Sequence, residues 1–474
     1  MLNFEPFSVD VLKKAFPYIQ KNTSLCSDHS LGAIFMWHSD DIRFCEWNNT
    51  FSVHQTVGGQ PAFSWPVGDD TDGMINEIMD YVRCKRLPLR FYAVDEKALE
   101  VIRADHRLQP LSMAYDERWS DYIYSFEEAL SFKGRKFSGQ RNHINKFKKL
   151  YGEPDIHILK PEDKHKIDVM LSEYESEHSD RSKMEKLELE HTKQLLDSCM
   201  ELGLIAACLT VRDKIVAFSI GEIVGDMLLI HVEKALRCYQ GAYPTMYNAM
   251  VRLAQELCKH QLTLVNREDD SGDPGLRTSK MQYHPIGRVH KYLVHVNSPI
   301  SRIDEFPVIF CDGLAITEMR ESDKKSYLEL NTDVDNNRFW GYDYRDDAFI
   351  TGQIDEDTFY NSAMHDMEVG DSINFAIRLS VNDDMIGEVI LWNFAADGSA
   401  ELGCRLKSEY HGKGYGRAAF GAVAEYAAHT LKLKVWARCY HQNKASYHMI
   451  MSNKFRETHK DENFFYFERN NDTD

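Results

Sequence analysis

Between residues 411 and 417 the chain reads His411, Gly412, Lys413, Gly414, Tyr415, Gly416, Arg417, and apolar Phe420, Val423, Ala424, Ala427 and Leu431 follow at helical spacing. A glycine loop that runs straight into a helix start leaves N–H groups unshielded at the positive end of the helix dipole, which makes an anion site. Lys413 and Arg417 add charge suited to a pyrophosphate. Just upstream, Glu401, Gly403 and Arg405 alternate with Leu402, Cys404 and Leu406, so Glu401 and Arg405 share one face of a strand. Elsewhere, Arg267, Glu268, Asp269, Asp270, Arg277 and Lys280 fall within 14 positions, a density that suits ion pairs or a polar pocket at a strand end. The run KGRKFSGQRNHINKFKK at 133–149 holds Lys133, Arg135, Lys136, Arg141, Lys146, Lys148 and Lys149 and no acid. With Phe137 and Phe147 interleaved, it suits RNA phosphates; the alternative is a solvated basic helix that offsets acidic neighbours.

These groups need elements to hold them. INFAIRL, MIGEVILW and AELGCRL alternate with a period of two and are parted by the turns NDD and DGS, so three antiparallel strands precede the glycine loop. LKVWARCY follows the helix as a further strand, and FFYF reads as the last. Gly414-Tyr415-Gly416 with Ala419 loosely imitates the fingerprint of dinucleotide folds, but that fingerprint needs a parallel strand–helix–strand unit rather than an antiparallel meander. The P-loop, H-E-x-x-H, G-x-S-x-G and EF-hand patterns are absent. Ten cysteines without a C-x-x-C pair argue against a zinc ribbon or disulfide scaffold, and no metal is expected. Residues 169–200 read as one long, largely helical, solvated stretch.

A length of 474 residues predicts two to four domains, and 43% apolar with 27% charged residues is the composition of a folded globular protein. The net charge of -18 argues against a DNA-coating role. The last 174 residues carry -12 of it and the first 300 carry -6, which marks separate modules. VHVNSPISRID at 294–304 is the expected linker, and LYGEPD at 150–155 a weaker boundary, giving domains 1–150, 151–298 and 305–474 of mixed α and β structure. Residues 1–16 lack a basic and apolar leader, and the longest apolar run, near 202–211, is too short for a bilayer. A cytoplasmic protein without a membrane span is expected.

HQNKASYHMIMSNKF at 441–455, with LAITEMRESDKKSYLELN at 314–331 and NNRFWGYD at 336–343, makes residues 312–468 resemble the GNAT acyltransferase superfamily, in particular its ribosomal-protein alanine acetyltransferase-like branch. The resemblance implies an acyl-CoA N-acyltransferase fold, acetyl-CoA as cofactor and a primary amine as acceptor. The family's pyrophosphate motif falls on His411, Gly414 and Gly416, with Leu406 at the preceding apolar position, and its helical Asn and small residue fall on Asn443 and Ser446. The implied cofactor set is Cys404, Leu406, His411, Gly412, Lys413, Gly414, Tyr415, Gly416, Arg417, Asn443 and Ser446. His411 stands where the family has Gln or Arg, and Lys454 where it usually has Gly. The general-acid Tyr position is Ile450, which leaves Tyr447 as a substitute. Attack of an amine on a thioester needs a base. Glu401 matches, with a one-residue gap, the strand glutamate that serves as base in some members.

Residues 20–295 contain WSDYIYSFEEALSFKGRKF at 119–137, IHVEKALRCYQGAYPTMYNAM at 230–250 and the charged segment 264–294. They resemble the C-terminal catalytic domain of phosphatidylglycerol lysyltransferases. This implies two GNAT-like lobes in tandem, hence three GNAT-like folds in the chain, with Glu233, Lys234, Asn266, Arg267, Glu268, Asp269, Arg277 and Lys280 as pocket residues. The membrane-spanning region of those enzymes has no counterpart here, so lipid lysylation is not implied. Gln240-Gly241-Ala242-Tyr243-Pro244 stands where a CoA loop would sit and lacks G-x-G, so CoA is not expected on the second lobe. Three functions stay open: acetyl transfer to a primary amine by the C-terminal domain; aminoacyl-tRNA-dependent transfer by the N-terminal module, with 133–149 on the tRNA; or a non-catalytic N-terminal module that binds substrate or regulates. The acidic C-terminal domain mildly favours a cationic acceptor such as an amine, peptide or polyamine.

Overall fold

Period-two alternation in the last third of the chain becomes an antiparallel meander of Ile373–Leu379, Met385–Trp392 and Ser399–Leu406, with Leu391 opposite Leu402 and Trp392 opposite Glu401. The computed structural model describes residues 2–20, 24–177, 183–346 and 354–470. Ile377, Val389, Leu391 and Leu402 bury one face of the meander against Phe420, Val423, Ala424 and Ala427 of the helix Tyr415–His429. Each large apolar side chain so buried contributes on the order of 1.5–3 kcal/mol. The helix carries the chain over to Lys434–Tyr440, which lies parallel to Ser399–Leu406, and Phe464–Arg469 and Phe455–Lys460 complete that side of the sheet. Ile309–Cys311 and Leu314–Glu318 extend the other side to eight strands.

The same succession occurs twice more. In one N-terminal lobe, Arg43–Trp47, Thr50–Val57 and Gln60–Ser64 pair antiparallel, the helix Thr71–Lys85 crosses over, and Arg90–Val94 lies parallel to Gln60–Ser64. In the other, Ile205–Val211, Lys214–Val224 and Met227–Ala235 are followed by the helix Ala242–Leu257 and the parallel strand Leu264–Asn266. Three sheets of mixed connection, one per unit, bear out the expected fold class.

The domain limits need correction. Asp121–Ser125 enters the second lobe's sheet between Leu264–Asn266 and Gly287–Val289, while Tyr292–Val296 returns to the first lobe's sheet between Arg90–Val94 and Leu111–Tyr115. The lobes exchange strands, so no cut at residue 150 separates them, and the helix Ser138–Tyr151 packs in the second lobe through Phe147. The expected linker likewise begins inside a strand, and Pro299–Arg302 forms a short 3-10 turn. Residues 169–200 hold the end of the helix Lys164–Glu177 and the whole of the helix Lys183–Ser198, and 178–182 lie outside the described residues. Among the described residues no helix is long and apolar enough to cross a membrane, and no group of three His, Cys, Asp or Glu side chains is placed to hold a metal ion.

The first lobe meets the third domain at a buried ion pair. Arg90, 0% exposed, reaches Asp371, whose other oxygen accepts from His295 Nδ1 at 3.1 Å, and Gln60 Nε2 donates to the Asp371 carbonyl at 3.1 Å. Gly370 sits at φ 87°, and a Cβ there would lie 2.6 Å from the Ser112 Cβ, so backbone strain and close approach both demand glycine. In a second tie, Ala396 N donates to Leu87 O at 2.9 Å from the turn that leads into Ser399–Leu406.

Candidate functional site

Ser399–Leu406 and Lys434–Tyr440 pair only from Ser399–Lys434 to Glu401–Trp436, although both strands run several residues further. Each is paired on its outer side along that length. Beyond Glu401 the two inner edges therefore diverge into a fork, with backbone N–H and C=O groups turned toward the gap. Such edges are obligatory hydrogen-bonding groups that an extended amide-bearing chain can satisfy.

At the open end of the fork stands the glycine loop. Gly412 and Gly414 have φ of 72° and 84°, and a Cβ on either would meet nothing within 4 Å. Gly414 caps the helix Tyr415–His429 without a side-chain hydrogen bond, so the first N–H groups of a 15-residue helix face outward. Gly416 packs over the strand, where a Cβ would make ordinary contact with Leu406 Cδ1 at 3.5 Å. The His411 Nε2–H donates to Leu406 O at 3.1 Å, which ties the loop to the strand rather than presenting the imidazole as an anchor. Lys413 and Arg417 bring positive charge to the same place, and Lys413 lies 5.1 Å from the Tyr410 ring.

The corresponding helix starts in the N-terminal lobes differ. Thr71–Lys85 is capped by Asp70, which accepts from Gly73 N at 2.9 Å, and Asp69 and Asp72 flank it, so its end repels an anion. Ala242–Leu257 begins at Gly241, where the His143 carbonyl oxygen stands 2.3 Å from where a Cβ would be, and Pro244 removes a donor. Of the three, the C-terminal helix alone offers open, uncapped amides beside basic side chains among the described residues.

Glu401 lies at the fork's vertex, 3% exposed. Trp392 Nε1 and Asn393 Nδ2 donate to its Oε2 at 2.7 and 2.5 Å, and Arg438 Nε donates to Oε1 at 2.9 Å. Three side chains thus fix the orientation of the carboxylate. Tyr447 donates to Glu457 at 2.9 Å, a bond that raises its phenol above the ordinary value. Ile450, at the family's general-acid position, is buried in the core. Asn443 accepts from Ser446 N at 3.1 Å and so caps the helix Lys444–Met451. Burial pushes the Cys404 thiol up to about 12, which leaves it a packing group against the glycine loop's helix.

The N-terminal candidates gather at the second lobe's own fork, where Met227–Ala235 and Leu264–Asn266 pair only over 227–229 and 264–266. Here the gap is filled. The Arg267 guanidinium lies 4.4 Å from the Tyr247 ring and 4.5 Å from the Tyr283 ring and pairs with Glu233 at 2.7 Å. Lys280 donates to the carbonyls of Arg267 and Glu268, and burial holds its ammonium down to about 8. Lys234 pairs with Glu188 at 2.7 Å and Arg277 with Asp270 at 2.9 Å. Asn266 donates to Asp121 at 2.9 Å, and Asp269 faces Lys291 at 3.4 Å. Glu233 Oε1, Arg267 Nη1 and the Tyr247 hydroxyl are buried without a hydrogen-bond partner.

Sequence reasoning missed the groups that bind this cluster to the first lobe. His231 donates to Glu268 at 2.7 Å and to Glu222 at 3.0 Å; burial alone would lower it, yet the two carboxylates raise it to about 10. Lys291 pairs with Asp121 at 2.7 Å and Asp28 at 3.0 Å. His231 sits between Ile230 and Val232 and Lys291 between His290 and Tyr292, far in sequence from Asp28 and Asp121, so spacing carried no signal for these pairings. The basic run also changes meaning: Phe137 and Phe147 are core residues rather than surface rings. Lys136 and Lys148 pair with Glu128 and Glu153, and Arg141 bonds main-chain carbonyls. Lys133, Arg135, Lys146 and Lys149 stay exposed without an acidic partner among the described residues.

Comparison with known proteins follows this division. The family model described as phosphatidylglycerol lysyltransferase, C-terminal, matches residues 23–295, and that of an acetyltransferase (GNAT) domain matches 314–456. A conserved protein of unknown function from Bacteroides thetaiotaomicron has a similar structure, with a TM-score of 0.57 and 23% identity over 63% of this chain and 100% of that one. L-PGS from Bacillus licheniformis aligns with a TM-score of 0.46 and 15% identity over 62% of this chain and 93% of that one. An uncharacterized protein of Mycoplasmoides gallisepticum is 23% identical over 181 residues, 38% of this chain and 57% of that protein. The chain thus spans little more than half the length of that curated relative.

Proposed function

Because the chain belongs to the family of the phosphatidylglycerol lysyltransferase C-terminal domain and carries a GNAT acetyltransferase domain after it, we propose that it is an N-acyltransferase whose C-terminal domain moves acetyl from acetyl-CoA to a primary amine. The observation that carries this reading is the fork beyond Glu401–Trp436 beside the uncapped, basic start of Tyr415–His429. Gly412, Gly414 and the first amides of the helix would hold the pyrophosphate, with Lys413 and Arg417 adding charge, and the free strand edges would take the amides of the pantetheine arm. When bound, the cofactor supplies a thioester carbon open to an amine. Glu401 has donors on both oxygens, so in this reading it orients a water that takes the amine's proton instead of touching the amine itself. Tyr447, directed at Glu457, serves the wall of the site. Titration of acetyl-CoA into the full chain by calorimetry tests the reading. Saturable heat that Gly414→Glu abolishes is the expected result; an unaltered affinity in that variant would remove the loop from the site.

A second reading rests on the three unpartnered buried atoms of Glu233, Arg267 and Tyr247. An acceptor, a guanidinium donor and a hydroxyl in one aromatic setting suit an ammonium beside an ester carbonyl, such as the aminoacyl end of an aminoacyl-tRNA, with Lys133, Arg135, Lys146 and Lys149 left free for its backbone. A salt-dependent shift of aminoacyl-tRNA that fails when Lys146 and Lys149 are neutralised would support it. If 1–300 only alters the acetyltransferase KM, the module is a binding or regulatory unit.

A further inference from the structure

The strand Ser399–Leu406 turns Leu402, Cys404 and Leu406 toward the core cluster that holds the glycine-loop helix, and Glu401, Gly403 and Arg405 to the opposite face. On that face residues 339–341 bridge the two arms of the fork. The Trp340 ring meets Trp392 edge-on at 5.5 Å above Gly403, where a Cβ would lie 3.2 Å from Trp340 and 3.3 Å from Trp392. Phe339 packs on Tyr440 of the other arm at 5.8 Å. These four rings are only half-buried, so a strip of aromatic surface lies in water along the fork, from Trp392 beside Glu401 to Tyr440 at the end of the other arm.

The charges around the strip narrow what it can take. Guanidiniums already lie over three rings: Arg405 is 4.5 Å from Trp340, Arg338 4.6 Å from Phe339 and Arg438 4.9 Å from Phe464. Arg405 is neutralised by Glu388 and Arg438 by Glu401, while Arg338 has no acidic partner among the described residues. Of these three guanidiniums Arg338 alone is left uncompensated, against the acidic mean of the domain, and the ring faces of Trp340, Phe339 and Phe464 are already taken by cations. A polyamine would bring further positive charges to Arg338; a flat apolar body finds ring edges and faces on Trp392 and Tyr440.

Resting on the cofactor reading above, we propose that the acceptor is a monoamine whose primary amine is carried on a flat apolar or aromatic body, and that polyamines are excluded. In the step the amine nitrogen forms the C–N bond, the thioester C–S bond breaks, and the proton released from nitrogen ends on the thiol sulfur. The test compares tryptamine with spermidine by thiol release from acetyl-CoA, using the full chain. At least tenfold higher kcat/KM for tryptamine is expected, with Trp340→Leu and Phe339→Leu each raising the tryptamine KM at least fivefold while acetyl-CoA affinity by calorimetry stays unchanged. Spermidine used equally well, no turnover of tryptamine by cofactor-binding protein, or an unmoved KM in both variants would overturn this inference alone. Loss of acetyl-CoA binding in the native chain would overturn the cofactor reading, and this inference with it.

Discussion

Glu401 stands at the last paired position of the fork with Trp392, Asn393 and Arg438 all donating to it. Its charge is what orients them, so Glu401→Gln is expected to lower kcat by about a hundredfold, within the range for a lost acid–base group, with acetyl-CoA affinity held. A calorimetric Kd that rises along with the fall in kcat would place Glu401 in the cofactor site instead. His231 makes a different kind of test. Its pKa in the folded chain, about 10, lies above the ordinary 6.5, so its contribution is complete below 6.5 and is lost as pH climbs toward 10. At about 1.4 kcal/mol per unit, the loss is on the order of a few kcal/mol. Lys280, held down to about 8, works the opposite way between 8 and its ordinary 10.5, so the comparison must keep it. Urea unfolding of native protein and His231→Gln at pH 6.5 and 9.5 checks this: the native chain should lose more stability across that range than the variant.

Helix starts decide which lobe can hold an anion, and two glycines there invite opposite substitutions. Gly414→Glu adds a negative side chain in open space at φ 84°, which should cost about 1–2 kcal/mol of strain but weaken acetyl-CoA at least tenfold. Gly241→Ala drives a methyl toward the His143 carbonyl oxygen at 2.3 Å, so thermal melting should fall while acetyl-CoA affinity holds. If both variants lose cofactor equally, the difference between these helix starts is not what selects the anion. The C-terminal loop was legible because its signals are local: alternation, Asp-Gly turns, then glycines running into an apolar helix stripe. The strand exchange was not, since Asp121–Ser125 finds Leu264–Asn266 across nearly a lobe's length of chain and nothing in either segment names the other. The same holds for Arg438 and Glu401, whose pairing needs the sheet register, and for Phe137 and Phe147, whose composition tells of aromatic character but not of the face they take.

At the scale of the whole chain, the N-terminal module and the fork are mechanically joined. Leu87 O holds Ala396 N in the turn that also supplies Asn393 to Glu401, and Arg90 holds Asp371 at the base of the meander. Burial, then the neighbouring Asp371, raises Asp366 to about 7, and Arg90 pulls it back down. Arg90→Leu would leave the two carboxylates facing each other without their cation. Removing one partner of a buried pair costs about 3–5 kcal/mol, enough for the variant to melt well below the native chain at pH 8. Without Arg90, Asp366 rises further and Asp371 loses the cation that holds it below its ordinary value. The deficit should therefore shrink as pH falls toward 5, where the carboxyls take up protons and the repulsion ends. A deficit that is the same at pH 5 and pH 8 would mean the guanidinium acts by filling space. If the deficit does shrink, acetyl transfer in the variant should recover at the lower pH once corrected for the native profile, because the turn carrying Asn393 is anchored on the same lobe that Arg90 secures.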